Sequence, residues 1–251
     1  MEVLFVGVSS CIPDVGGDTA CFLINGRRLV DAGWCGVLKL RELGVDPLAV
    51  ESLILTHLHH DHYLGLPHLV FYQAMRRGQR PVPPLRVLGP AGTVDRVVQA
   101  SLDLLQAKRF PELALACDVL GLRPGESCDL GDVVFDTCAA KHISGSGRPE
   151  EALSWRATER SSSAKLAFTG DTSHNPDLIP FIAGAGVLVH DAAHSTAREA
   201  AEVARAAHVG RLFLIHYLAQ DAEALLAQAR ELFPESSLAR QGERVTVYRV
   251  P

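Results

Sequence analysis

Short β-branched runs alternate with longer amphipathic stretches along this chain, and the alternation predicts an α/β layered fold. The apolar runs Val3–Val8, Ala20–Ile24, Arg28–Asp31, Ser52–Leu55, Leu85–Leu88, Val133–Asp136, Leu166–Thr169, Val187–His190, Leu212–His216 and Val245–Val250 read as strands. Apolar residues at helical spacing predict helices over Cys35–Leu43, Leu66–Arg77, Thr93–Lys108, Pro176–Ala183, Thr196–His208 and Ala222–Phe233. The early strands are joined by turn signals at Pro13, Gly16-Gly17 and Asn25-Gly26, the last a strong type I′ hairpin signal. The first half is therefore hairpin-rich rather than a plain doubly wound sheet. Gly78–Pro84 and Gly145–Arg160 are the loosest stretches and read as surface loops, not domain boundaries. With no internal repeat and no low-complexity linker, residues 1–251 read as one domain.

Composition narrows the class. Apolar residues make up 47% and charged residues 21% of the 251, ordinary globular values that exclude a disordered or fibrous chain. A formal net charge of −5 argues against a surface built wholly for nucleic acid. The amino terminus lacks the basic and apolar regions of a signal peptide, and no apolar run reaches the ~20 residues needed to cross a bilayer. Six scattered cysteines without a C-x-x-C read as reduced thiols. The expectation is a cytoplasmic protein with no membrane contact. The unusual count is eleven histidines.

Four of those histidines and a carboxylate stand in one run, His57-Leu58-His59-His60-Asp61-His62, directly after a predicted strand. Imidazole nitrogens and carboxylate oxygens suit a divalent cation such as Zn²⁺, and Leu58 lets two of the rings point one way. A loop at the carboxyl end of a strand is also a favoured place for a site in a layered α/β protein. The plainer reading is a solvated histidine-rich surface run, which the burying flanks Leu55, Leu64 and Leu66 count against.

The run resembles the H-x-H-x-D-H signature of the metallo-β-lactamase fold hydrolases, and His142, Asp171 in a G-D-T and His216 follow in that family's order at predicted strand ends. The resemblance implies a four-layer αβ/βα sandwich with two Zn²⁺ ions, or Mn²⁺ or Fe²⁺ in their place. It puts His57, His59 and His142 on one ion, Asp61, His62 and His216 on the other, and Asp171 between them. A metal-held hydroxide would be the nucleophile. Within the family, GVSSCIPDVGGDTACFLI, LTHLHHDHYLGLPHL and VLVHDAAH followed by STAREAAEVA are similar to the ribonuclease Z group. That likeness implies catalytic roles for Asp61, Asp191 and His194, a phosphodiester substrate (RNA or a small nucleotide), and a homodimer. It also makes Asp31 an outer carboxylate that steadies a metal ligand. Two departures stand out. The segment between Asp191 and His194 is shorter than in typical ribonuclease Z chains, and their Gly/Pro- and Lys-rich tRNA-gripping arm has no counterpart.

The rest of the chain adds less. Thr196-Ala197-Arg198-Glu199 reads as a capping box that sets His194 at a helix amino terminus, where a phosphate oxygen is favoured. From Tyr63 to Val94 there is no acidic residue, and Arg76, Arg77, Arg80 and Arg86 form either a phosphate-facing patch or a solvated helix end. His60, His68 and His208 read as structural or surface residues, His174 as a substrate neighbour, and Gly145-Ser146-Gly147 as a turn. Two other functions fit the same cluster: an ester, lactone or thioester hydrolase, and a metal-binding scaffold without activity.

Overall fold

The computed structural model describes residues 1–79, 83–113, 115–143, 147 and 151–250. Strands β1 (Glu2–Gly7), β2 (Cys21–Ile24), β3 (Arg28–Val30), β4 (Ser52–Ile54), β5 (Leu85–Pro90) and β6 (Cys117–Leu122) build one sheet. Strands β7 (Ser127–Asp129), β8 (Val133–Ala139), β9 (Leu153–Glu159), β10 (Lys165–Phe168), β11 (Val187–Asp191), β12 (Leu212–Ile215) and β13 (Ser236–Leu238) build the other. A last strand, β14 (Arg244–Thr246), returns to the first sheet beside β1. The hairpin expected at Asn25-Gly26 joins β2 to β3 antiparallel, with Asn25 at φ 48° and Gly26 at φ 69°. From β3 to β6 the pairing is parallel, as it is from β10 to β13.

Alternation within the strands assembles the layers. In β1, Val3 and Phe5 face the other sheet, while Leu4 and Val6 face helices. In β12, Phe213 and Ile215 face inward and Leu212 and Leu214 outward. Strands buried on both faces are what parallel sheets between helices require. Helices α1 (Gly36–Glu42), α2 (His60–Tyr63), α3 (Gly65–Arg76) and α4 (Val94–Leu104) belong to the first half. Helices α5 (Ile179–Ile182), α6 (Ala197–Ala206) and α7 (Ala222–Leu232) belong to the second. Val37, Leu40, Leu66, Leu69 and Val98 cover the outer face of the first sheet, and Ala197, Ala200, Val203 and Ala229 that of the second. The result is the expected αβ/βα sandwich.

Three expectations need correction. The stretch Gly145–Arg160, read as a loop, contains β9, an interior strand between β8 and β10. Its charged and polar residues hid a period of two: Leu153, Trp155 and Ala157 enter the central core, while Arg156 pairs with Asp136 at 2.8 Å. Residues 144–146 and 148–150 lie outside the described residues. The helix from Thr93 ends at Leu104, because Gln106 turns to φ 51°. The run after Pro176 is a 3₁₀ turn over Pro176–Leu178 followed by one helical turn, with Pro180 in that turn's first positions, where a proline is tolerated. Edge strands β6, β7 and β13, short or half-exposed, carried too weak an apolar pattern to be read.

Trp155 is fully buried, with Phe135 edge-on at 6.2 Å and Phe168 stacked at 6.4 Å. Trp155→Ala should destabilise the protein by about 3–5 kcal/mol in denaturant unfolding. A loss below about 1 kcal/mol would contradict a close-packed interface between the sheets.

Candidate metal centre

Strand ends from both sheets meet at one place. The loop after β4 carries His57 and His59 and runs into α2, which carries Asp61 and His62; His142 follows β8, Asp171 follows β10, and His216 follows β12. Asp31 fixes the first loop. Thr56 donates to it from its amide and its hydroxyl at 2.9 Å each, and His62 Nδ1 lies 2.8 Å from its Oδ2. That contact turns His62 Nε2 toward Asp61 and Asp171, the steadying role the sequence suggested for Asp31. The G-D-T glycine has a steric reason. Gly170 sits at φ 60°, and a Cβ there would stand 2.7 Å from Thr56 Cβ, so the loops carrying His57 and Asp171 can touch only without a side chain. His216 itself holds φ 64°, kept there by its amide bond to the Val8 carbonyl at 2.9 Å.

The donor atoms form three groups, each lying within 4.8 Å: His57, His59, His142 and Asp171; Asp61, His62 and His216; and Asp171, Asp191, His194 and His216. Asp171 faces both sides. Its Oδ2 is 3.7 Å from His57 Nε2, while its Oδ1 is 3.5 Å from His62 Nε2 and 3.6 Å from His216 Nδ1. Asp61 Oδ2 stands 3.2 Å from Nε2 of both His62 and His216. Tetrahedral donors about 2.1 Å from a cation lie roughly 3.4 Å from one another, which these spacings match. Nε2 of His57 and of His62 are buried with no hydrogen-bond partner, and Nε2 of His142 points at Nδ1 of His59 from 3.1 Å. Four buried aspartates surround the rings: Asp31, Asp61, Asp171 and Asp191. Their combined charge would balance two divalent cations. The residues fit a metal pair.

Electrostatics agree with that fit. Burial alone would raise the Asp171 carboxyl, but His216, His62 and His57 outweigh it and hold Asp171 well below the usual carboxylate range. Burial would lower the His216 imidazole, yet Asp171, Asp191 and Asp61 push it up to about 10. His62 moves the same way against its burial, driven by Asp171 and Asp31. Burial, then His62, drives His57 well below its ordinary value, toward the neutral form that ligates.

A model of the beta-lactamase superfamily domain matches residues 27–217. The chain belongs to the beta-lactamase superfamily. Ribonuclease Z of Metallosphaera sedula is 29% identical over 282 aligned positions that cover 94% of this chain and 95% of the relative. That alignment is longer than the 251 residues present here, so the relative carries segments that this superfamily member lacks. The metallo-beta-lactamase fold protein YhfI of Bacillus subtilis superposes with a TM-score of 0.79 at 21% identity, covering 97% of this chain and 98% of its own. Human tRNase Z, short form, gives 0.78 at 20%, covering 98% and 99%. The superfamily member described here is thus a ribonuclease Z-like, metal-dependent hydrolase of the metallo-β-lactamase fold.

All nine site residues taken from the sequence lie at this centre, in two tiers. Asp191 is buried at 1% exposure; it accepts from the His194 amide at 2.9 Å and stands 3.0 Å from His216 Nδ1. His194 is open on one side. Its ring stacks on His216 at 5.5 Å and meets His142 edge-on at 4.9 Å. The capping box behind it is present as expected. Of the five other histidines, His60, His68 and His208 are exposed, His174 is half-buried and His190 is buried within β11. Sequence reading missed Asp18, wholly buried, which accepts from the amides of Thr19, Trp34 and Cys35 and so braces the loop below Asp31. Thr19 then donates to the Asp61 carbonyl at 2.7 Å. A lone Asp in a glycine-rich turn gave no signal for this. The arginine patch is remote: Arg86 pairs across from Ser52 at the opposite end of β4 from His57, and it is bound to Asp118 at 2.9 Å. Arg76 ends α3, about 18 Å along the helix from Gly65, and Arg80 lies outside the described residues.

Asp171→Ala removes both facing oxygens and should cost at least one of two bound cations, read by elemental analysis after dialysis, with helical content kept. A variant that retains two ions would contradict the bridging arrangement. Cation binding at His62 and His216 must also displace protons, because both groups hold theirs above neutral pH. Affinity should therefore rise with pH between 6 and 9, and calorimetry in buffers of different ionisation heat should register proton release. A pH-independent affinity would argue that these rings do not ligate.

Proposed function

We propose that this chain is a dinuclear zinc phosphodiesterase acting on RNA or a small nucleotide. The observation that carries the reading is His194. Its Nδ1 is turned inward to Asp191 at 3.4 Å and Asp171 at 3.5 Å, which leaves Nε2 on the open side above the donor cluster. The similarity to ribonuclease Z supports a phosphodiester over a carboxylic ester. A cation pair at the seven donors would lower the pKa of a water and polarise the phosphoryl oxygens.

The chain's own groups supply the rest. Asp61 has one oxygen between His62 and His216, and its other oxygen would accept a hydrogen bond from the attacking water. His194 Nε2–H gives its proton to the alcohol oxygen as the P–O bond breaks, so the products are a phosphomonoester and an alcohol. Asp191 acts through His194 and His216: it is a positioning residue that fixes the ring's tautomer and angle. The distance of Arg76 and Arg86 from the centre takes them out of direct phosphate contact there, and the net charge of −5 supports a short substrate over a long duplex.

The leaving group tests this. A ribose alkoxide needs a proton, and general-acid help is worth about 10²–10⁴-fold, whereas p-nitrophenolate leaves without one. His194→Ala should cripple cleavage of a dinucleotide yet spare bis(p-nitrophenyl) phosphate to within about tenfold, metal content unchanged. Equal losses on both would reassign His194 to positioning. Substrate size has its own readout. Each RNA phosphate engaged by Lys or Arg contributes a slope of roughly −0.7 to log affinity against log salt, so a slope shallower than about −2 is expected for a short ligand. A steep slope on tRNA would instead favour a long polyanionic substrate.

A further inference from the structure

Beside the metal centre lies a hollow of about 310 Å³ that the mechanism above does not use. Its position follows from the strand ends. Ala140, two residues before His142, donates to the Ala152 carbonyl; Leu153 donates to the carbonyl of Thr56, the neighbour of His57. All three of those lining residues, Ala140, Ala152 and Leu153, therefore belong to the wall that also carries His57 and His142. Across the second sheet the order β12, β11, β10, β9, β8 sets His194, after β11, on one flank of Asp171 and the hollow, at the end of β8, on the other.

Its lining is apolar with two polar groups at the rim. Pro90, Ala91, Pro124 and Ala139 offer flat, inflexible surface. Glu151 receives the Thr93 hydroxyl on Oε2 at 3.0 Å, leaving Oε1 to accept from a ligand. The Arg123 side chain is 76% exposed, and its nearest carboxylate, Glu126, is 3.9 Å away. A donor and an acceptor at the rim of a hollow walled by small apolar residues suit a planar heterocycle with both kinds of edge, and the volume is that of a small-ligand site.

We infer that this hollow is a base-binding subsite for the nucleotide on the retained side of the scissile phosphodiester, with Arg123 and Glu151 as specificity-determining residues. The inference rests on the phosphodiesterase reading. In-line displacement puts the departing alcohol and the attacking water on opposite sides of phosphorus, and His194 claims the first of these. The retained nucleoside then has the flank past His142 to extend along. Contacts made there, away from the reacting atoms, are the kind whose binding energy raises turnover of a full substrate over a truncated one.

Two diesters with the same leaving group separate the contributions: thymidine 5′-(p-nitrophenyl phosphate), which carries a base, and methyl p-nitrophenyl phosphate, which does not. The metal-loaded enzyme should prefer the first by at least about tenfold in kcat/KM. Ala91→Trp, which fills the hollow, should erase that preference. Because Ala91 is half-buried, the exposed pair Arg123→Ala and Glu151→Gln provides a second test, expected to lower the preference and to change its ranking among the four bases. A preference absent in the parent enzyme, or untouched by all three substitutions, would overturn the subsite. Direct binding distinguishes this from failure of the phosphodiesterase reading. If neither diester turns over, thymidine 5′-monophosphate should still bind more tightly than inorganic phosphate and lose that advantage in Ala91→Trp; equal affinities would refute the subsite on their own.

Discussion

One carboxylate holds the two halves of the molecule to a common point. Asp171 comes from the second sheet, and it faces His57 and His62 of the first sheet with different oxygens. Burying an aspartate among three imidazoles is tolerable only if opposite charge lies on every side of it, since an unpaired buried charge costs several kcal/mol. The surrounding architecture meets that demand. Gly170 lets the Asp171 loop approach Thr56, Asp31 orients His62 and Asp191 orients His216. Asp31 holds His62 by Nδ1, the nitrogen turned away from the other donors, while Asp191 shares Nδ1 of His216 with Asp171.

The division between inner and outer groups also explains why so many aspartates are concentrated in one small volume. Asp31 lies behind His62, opposite Asp61 and Asp171, whereas Nδ1 of His216 faces both Asp191 and Asp171 and its Nε2 faces Asp61. A ring held between two carboxylates keeps a proton strongly, and a divalent cation is the natural competitor for that place. His194 shares Asp191 with His216 and stacks against it at 11° between ring planes, so the open ring is anchored to a buried one. Both rings are positioned through a single buried side chain.

Much of this was legible in the chain because the first donors are local. Four of them fall within six residues after an apolar strand, and no packing scheme buries such a run without a ligand. His142, Asp171 and His216 were picked out by the family resemblance, whose order they follow at strand ends that apolar runs mark well. What stayed hidden depends on tertiary contact. The strand holding Trp155 looks like a polar loop until its neighbours β8 and β10 are known. Asp18 has no motif; its role exists only because Trp34 and Cys35 fold back over it. The arginine stretch was misleading in the opposite way: proximity in sequence to the histidine run became distance in space, because α3 carries the chain away from the centre.

The parallel arrangement of β10 to β13 has a consequence for how the protein comes to be. His57 and His216 are held together although most of the chain separates them, and His216 gains its left-handed backbone only by bonding to Val8 near the other end. During synthesis, the early half emerges with its histidine run and lacks the residues that close the shell around it. Domains of this size commonly pass through such partly assembled states. The order of the strands thus leaves the histidine run open until the second sheet, which brings His142, Asp171 and His216, has been made.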